Sequence, residues 1–160
     1  MRRRERAAGI DLLLDLLDEA FDHRSWHGTN LRGSIRGLTA RDAAWRPRGG
    51  RHNVWEVVVH AAYWKYVVWR QLTGAKRGSF ACAGSNWFPR PQAVTERAWR
   101  EDVALLVAEH GRLRKAVAGS VARDLGGGSA AARQLHLIRG VAAHDLYHAG
   151  QIQLLKRLRR

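Results

Sequence analysis

The stretch from about Asn53 to Thr73 constrains this chain most. Val54, Trp55, Val57, Val58, Val59, Ala61, Ala62, Tyr63, Trp64, Val67, Val68 and Trp69 leave it apolar almost all round. Its many valines suit a strand, but the run is too long for one and shows no period of two. Read as a helix, it has to be covered on more than one side. Its start has a capping-box character, with Asn53 as the cap and Glu56 three residues on reaching back.

Three further helices follow from the 3.6-residue period. The first is expected from about Arg4 to His23, with Ile10, Leu13, Leu14, Leu17 and Phe21 on one face and Asp11, Asp15, Asp18, Glu19 and Asp22 mostly elsewhere. Another is expected from about Thr95 to Ala118. Its Trp99, Val103, Leu106, His110, Leu113 and Val117 fall at alternating steps of four and three, the spacing of a bundle seam. The last is expected from about Ala131 to Leu158, after a flexible Gly126-Gly127-Gly128-Ser129 connector. Between these, Ser25-Trp26-His27-Gly28 reads as a break, Asn30 to Leu38 as a short helical continuation, and Thr39 to Gly50 as loop. The fold class expected is all-α, a four-helix bundle forming one domain over residues 1–160 with short basic tails. The long loop from Gly74 to Pro91 allows a crossover connection and suits a lid or site wall.

Composition narrows the function classes. Lys plus Arg is 28 against 14 acids, a formal net charge of +14. Arginine supplies 24 of those cations, as in proteins of GC-rich genomes, and no basic-aromatic pattern follows one helix. Nucleic-acid binding through Arg2-Arg3-Arg4 and Lys156-Arg157-Leu158-Arg159-Arg160 is therefore not the favoured reading. No segment reaches the length of a membrane span, and the basic start is not followed by a signal-peptide core. With Cys82 its only cysteine, the chain has no internal disulfide framework, and a cytoplasmic location is expected.

The histidines carry the chemistry. His144 and His148 lie four apart on a stripe with Leu137, Val141, Ile152 and Leu155, so both face the core. Burying two imidazoles one turn apart is costly unless something pairs with them. Neutral imidazole is a good ligand for zinc, nickel or iron. A third ligand has to come from another helix, and His60, midway along the apolar stretch, is the best candidate. The competing reading is that these are ordinary core histidines with hydrogen-bond partners. His110, on its seam, can face the same interior. His27 can line a pocket mouth, and His23, His52 and His136 have no such placement.

Asp145 flanks the stripe. It can orient a ligand histidine or act as a base, or it can simply pair with a nearby arginine. Glu56 lies one turn before His60, where capping explains it and a catalytic role is the alternative. Gln151, three residues after His148, can hydrogen-bond inside the bundle. Gly150, in a helix interior, suggests the close approach of another helix or a ligand. Trp26, Trp64 and Trp87 are expected as apolar pocket walls or core residues, and Arg90 as a holder of a carboxylate-bearing cosubstrate.

His60-Ala61-Ala62-Tyr63-Trp64, with Trp45-Arg46-Pro47 before it and His144-Asp145-Leu146-Tyr147-His148-Ala149-Gly150-Gln151-Ile152 far downstream, resembles the DinB/YfiT-like metalloprotein superfamily. The Ser25-Trp26-His27-Gly28 break and the Asn86-Trp87-Phe88 loop add to the likeness, which runs from about residue 7 to 157. The resemblance implies a bundle with a crossover and a divalent metal ion held by His60, His144 and His148. It also implies a homodimer, and relatives that are thiol-dependent transferases using thiols such as bacillithiol or mycothiol, together with a maleylpyruvate isomerase and some hydrolases. The expectation is thus a metal-dependent enzyme of transferase or hydrolase type acting on a small molecule, with a low-molecular-weight thiol as cosubstrate. Its alternative is a non-catalytic, stress-related metal-binding bundle. Self-association is also expected from the apolar excess of the His60 helix and from a second stripe, Leu146, Leu154 and Leu158.

Overall fold

The computed structural model describes residues 2–124 and 128–159, with side chains over 8–119 and 128–159. Gly126, Gly127, Arg160 and the side chains of Arg2, Arg3 and Arg4 lie outside these. Among the described residues there are six helices and no strand: α1 (Arg2–Phe21), α2 (Leu31–Ile35), α3 (Ala40–Ala44), α4 (Val54–Thr73), α5 (Glu96–Asp124) and α6 (Ser129–Leu158). The four long helices are those expected. The segment from Thr39 is not all loop, because Thr39 and Asp42 form a reciprocal capping box that starts α3.

The long helices form a ring in which α1 and α4 each pack on both α5 and α6. α4 and α5 run the same way. Trp55 Nε1 donates to Asp102 at 2.6 Å near their starts, and Lys65 Nζ lies 3.4 Å from His110 Nδ1 further along both. Two parallel helices joined in sequence need a return along the whole bundle, and the loop between them makes it. Its descent is pinned to α4 at Gly78 N to Tyr66 OH (3.2 Å), His60 to the Asn86 carbonyl (2.8 Å) and Asn53 Nδ2 to the Arg90 carbonyl (2.8 Å). This is the crossover.

The coverage of α4 explains its composition. Val57, Val58, Val59, Ala61 and Ala62 are all essentially inaccessible, because α3, α5, α6 and the returning loop surround them. Much of the apolar excess of this helix is thus covered within the chain, while Trp64 stays 36% exposed. One part of the core, around Trp55, Leu31, Leu106 and Ile152, packs below the histidines, and a second, around Leu17, Leu113 and Ile138, packs above them. The C-terminal turn of α6 docks on the short helices through Lys156 Nζ to the Ser34 carbonyl (2.9 Å) and an Arg159–Asp42 ion pair. Two of the basic tail residues are therefore engaged within the chain. No helix among the described residues is long and apolar enough to cross a membrane.

Candidate metal centre

α4 and α6 bring three imidazoles to one point halfway along the bundle. His144 Nε2 lies 3.1 Å from His60 Nε2 and 3.0 Å from His148 Nε2. The three candidate ligand atoms all lie within 4.8 Å of one another. Nitrogens sharing a tetrahedral zinc with bonds of about 2.0–2.1 Å sit about 3.3 Å apart, so this cluster is close to the size of a metal site.

The outer nitrogens set the tautomers. His60 Nδ1–H donates to the Asn86 carbonyl at 2.8 Å, and His148 Nδ1–H donates to Gln151 Oε1 at 2.7 Å. Both rings then turn an Nε2 lone pair toward the common point, as metal-binding histidines do. The buried Nδ1 of His144 has no hydrogen-bond partner among the described residues. Burial pushes the pKa of His60 down to about 4 and that of His144 to about 3, and it lowers that of His148. All three are neutral at pH 7. Facing lone pairs repel one another, and a cation removes that repulsion. The donor set thus fits a divalent ion.

The same burial has a consequence for stability. The unfolded chain takes up protons near pH 6.5, which the folded core resists until about pH 4 at His60. The stability of metal-free protein should be full above about pH 6.5 and decline as the pH falls toward 4. Urea midpoints at pH 7.5 and 5.0 check this, with the lower midpoint expected at pH 5.0.

The crossover loop builds the lid of the site. Trp87 stacks flat on His60 (centroids 3.8 Å, 7° between planes), and His52 stacks on its other side (3.6 Å, 4°). Asn86 adopts a left-handed backbone (φ +64°), which turns its carbonyl onto His60 while its side-chain oxygen accepts from Trp64 Nε1 at 3.0 Å. Asparagine tolerates this conformation and β-branched residues do not. Asn86→Val should therefore weaken zinc affinity by about ten-fold or more, the scale of losing a ligand's outer partner. Asn86→Gly, which keeps the backbone accessible, should weaken it far less. A chelator-competition titration separates the two.

Several expected site residues stand elsewhere. Asp145 is fully buried, but its carboxylate is ion-paired to Lys65. Its partner is this buried lysine rather than an arginine, and it touches none of the three imidazoles through any hydrogen bond. Glu56 caps α4 and is gripped by Arg46 (2.7 and 3.0 Å) and His52 (3.0 Å). Burial alone would raise its pKa, but these hydrogen bonds hold it below the usual range, so it is a structural anion with its oxygens occupied.

His110 faces the interior yet belongs to a different cluster. It stacks on Phe21 (3.8 Å), and its Nε2 is 3.6 Å from Asp18, which Arg114 clasps at 2.8–3.0 Å. Burial, with Lys65 beside it, pushes its pKa down to about 3. Trp26 is 98% exposed, in a tight turn where Ser25 Oγ donates to the Gly28 carbonyl, and His27 is exposed beside it. Neither lines the site. Arg90 is tied to Asp102 (2.9 Å) and donates to Cys82 Sγ (3.0 Å). A Cβ on Gly150 would meet nothing within 4 Å, so no close helix approach explains that glycine. Lys65, the Asn86 carbonyl and His52 are the contributors that sequence reasoning missed. A lone lysine in an otherwise apolar helix was the one available signal.

Three histidines on two helices of a crossover bundle define a candidate metalloprotein site. The family model of the DinB superfamily matches residues 22–152, most of the chain, and this protein belongs to that superfamily. No curated protein and no solved structure matches the chain significantly.

Proposed function

We propose that the chain holds one divalent metal ion on His60, His144 and His148 and uses it in a transferase or hydrolase reaction on a small molecule, with a low-molecular-weight thiol as cosubstrate in the transferase case. The observation that carries the metal reading is the meeting of three Nε2 atoms, two of them aimed by hydrogen bonds on the far side of the ring. Membership of the DinB superfamily and the resemblance of the histidine motifs support the reaction class. Bound there, such an ion supplies Lewis acidity and lowers the pKa of a coordinated water or thiol. Zinc, nickel and iron all suit the donor set.

The protein's own residues set where a substrate enters. His60 and His148 are 5% and 3% exposed, whereas His144 is only half-buried, so the open side of the cluster is the His144 side. Trp87 seals His60 from water, and Trp64 forms the rim. Asp145 is ion-paired to Lys65 through one carboxylate oxygen, its other oxygen being buried without a hydrogen-bond partner among the described residues, and Glu56 is ion-paired to Arg46.

The test is elemental analysis of tag-free protein purified without added metal, followed by thiol-transfer and hydrolysis assays before and after chelation. One ion per chain and activity lost on chelation are expected. Absence of any retained or reconstitutable ion overturns the metal reading, and a loaded protein inert toward thiols and electrophiles favours a binding role. The reading includes a homodimer and a cytoplasmic location. Leu154 and Leu158 are 57% and 59% exposed, although Leu146 packs into the core. Sedimentation at micromolar concentration should give a dimer.

A further inference from the structure

An apolar groove of ≈ 250 Å³ lies between α4 and α6, lined by Trp64, Val68, Leu137, Gly140, Val141 and His144. It shares His144, the least buried of the three clustered histidines, with the candidate metal centre. The groove therefore meets the cluster on its open side. His136 is the one other polar side chain at its edge.

Charge sets it apart. The chain carries 24 arginines, and the adjoining cleft further up the same two helices is lined by Arg70 and Arg133. No arginine among the described residues lines this groove. One wall is held rigid, because the Trp64 indole is anchored to Asn86. Gly140 leaves space where any other residue would project: a Cβ there would meet nothing within 4 Å.

We infer that this groove binds the uncharged alkyl or aryl arm of a substrate whose oxygen or sulfur donor reaches the metal ion beside His144. The inference rests on the metal reading above and adds a substrate class to it. A carboxylate-bearing or phosphorylated arm finds no arginine or lysine among the described residues that line the groove. Each buried methylene is worth about four-fold in affinity. A chain burying three of them gains about sixty-fold.

The probes are octanohydroxamate and acetohydroxamate, which share a metal-binding head and differ in the arm. Zinc content is measured first, and then the affinity of both probes for zinc-loaded wild type, Gly140→Leu and Gly119→Leu. Gly119 is the control, since it lies on α5 with open space around it. The expected result is a preference of at least ten-fold for the octanoyl probe in wild type and Gly119→Leu. Gly140→Leu should abolish it, with zinc content and acetohydroxamate affinity unchanged. Equal affinity of wild type for both probes, or a preference surviving in Gly140→Leu, overturns the groove and leaves the metal site standing. Failure to retain zinc overturns the metal reading, and the groove proposal with it.

Discussion

Replacing Lys65 by methionine is expected to destabilise the protein by about 3–5 kcal/mol, the cost of leaving one member of a buried ion pair uncompensated. Both Lys65 and Asp145 have side chains that are 0% exposed, so water cannot solvate the orphaned carboxylate. Burial already raises the pKa of Asp145, and Lys65 opposes that shift. Removing the lysine leaves the carboxylate to accept a proton or unfold the bundle. A domain with about 5–15 kcal/mol in hand loses a large share of it. Adding Asp145→Leu to Lys65→Met should recover most of the loss, because an apolar pair of similar volume replaces the ionic one. Urea denaturation of wild type, single and double variants reads this directly. A single variant as stable as wild type contradicts the assignment.

This ion pair bears on the metal centre. Lys65 follows His60 on α4, and Asp145 adjoins His144 on α6. The contact that joins the two helices thus lies about one turn from the contact that joins the imidazoles. The chain from Lys65 through His110 and Asp18 to Arg114 extends the fixation to α5 and α1.

The second large effect is expected from His148→Ala, which should lower zinc affinity by at least about a hundred-fold, beyond the ten- to hundred-fold typical of losing an outer partner. His148 contributes one of the three ligand atoms and is buried, so no water readily takes its place. His144→Ala should behave alike. Gln151→Leu, which removes only the acceptor of His148 Nδ1–H, should fall between these variants and wild type. Competition with a calibrated chelator gives the ranking, and circular dichroism checks that each variant retains its helices. Full metal content in both histidine variants contradicts the site.

Much of this site was legible in the sequence because it depends on helix periodicity. His144 and His148 four residues apart have to share a face, and His60 in a continuous apolar helix has nowhere to point but inward. Lys65 was not legible, since the residue that makes its burial tolerable lies 80 positions away. The orientation of Trp26 was not either. Whether a tryptophan in a break covers a pocket or faces solvent depends on the turn, and the Ser25–Gly28 turn sends it outward. The five residues of α3 carry too short a period to show in the sequence, although Thr39 and Asp42 hold the capping signal. Asn86 acts through its backbone carbonyl, which no residue type announces.

Zinc K-edge X-ray absorption of tag-free protein, loaded with one equivalent of zinc and dialysed, tests the convergence of the imidazoles most directly. The account predicts a shell containing three imidazole nitrogens at about 2.0–2.1 Å, from His60, His144 and His148. A shell with one imidazole or none, or zinc lost on dialysis, contradicts it.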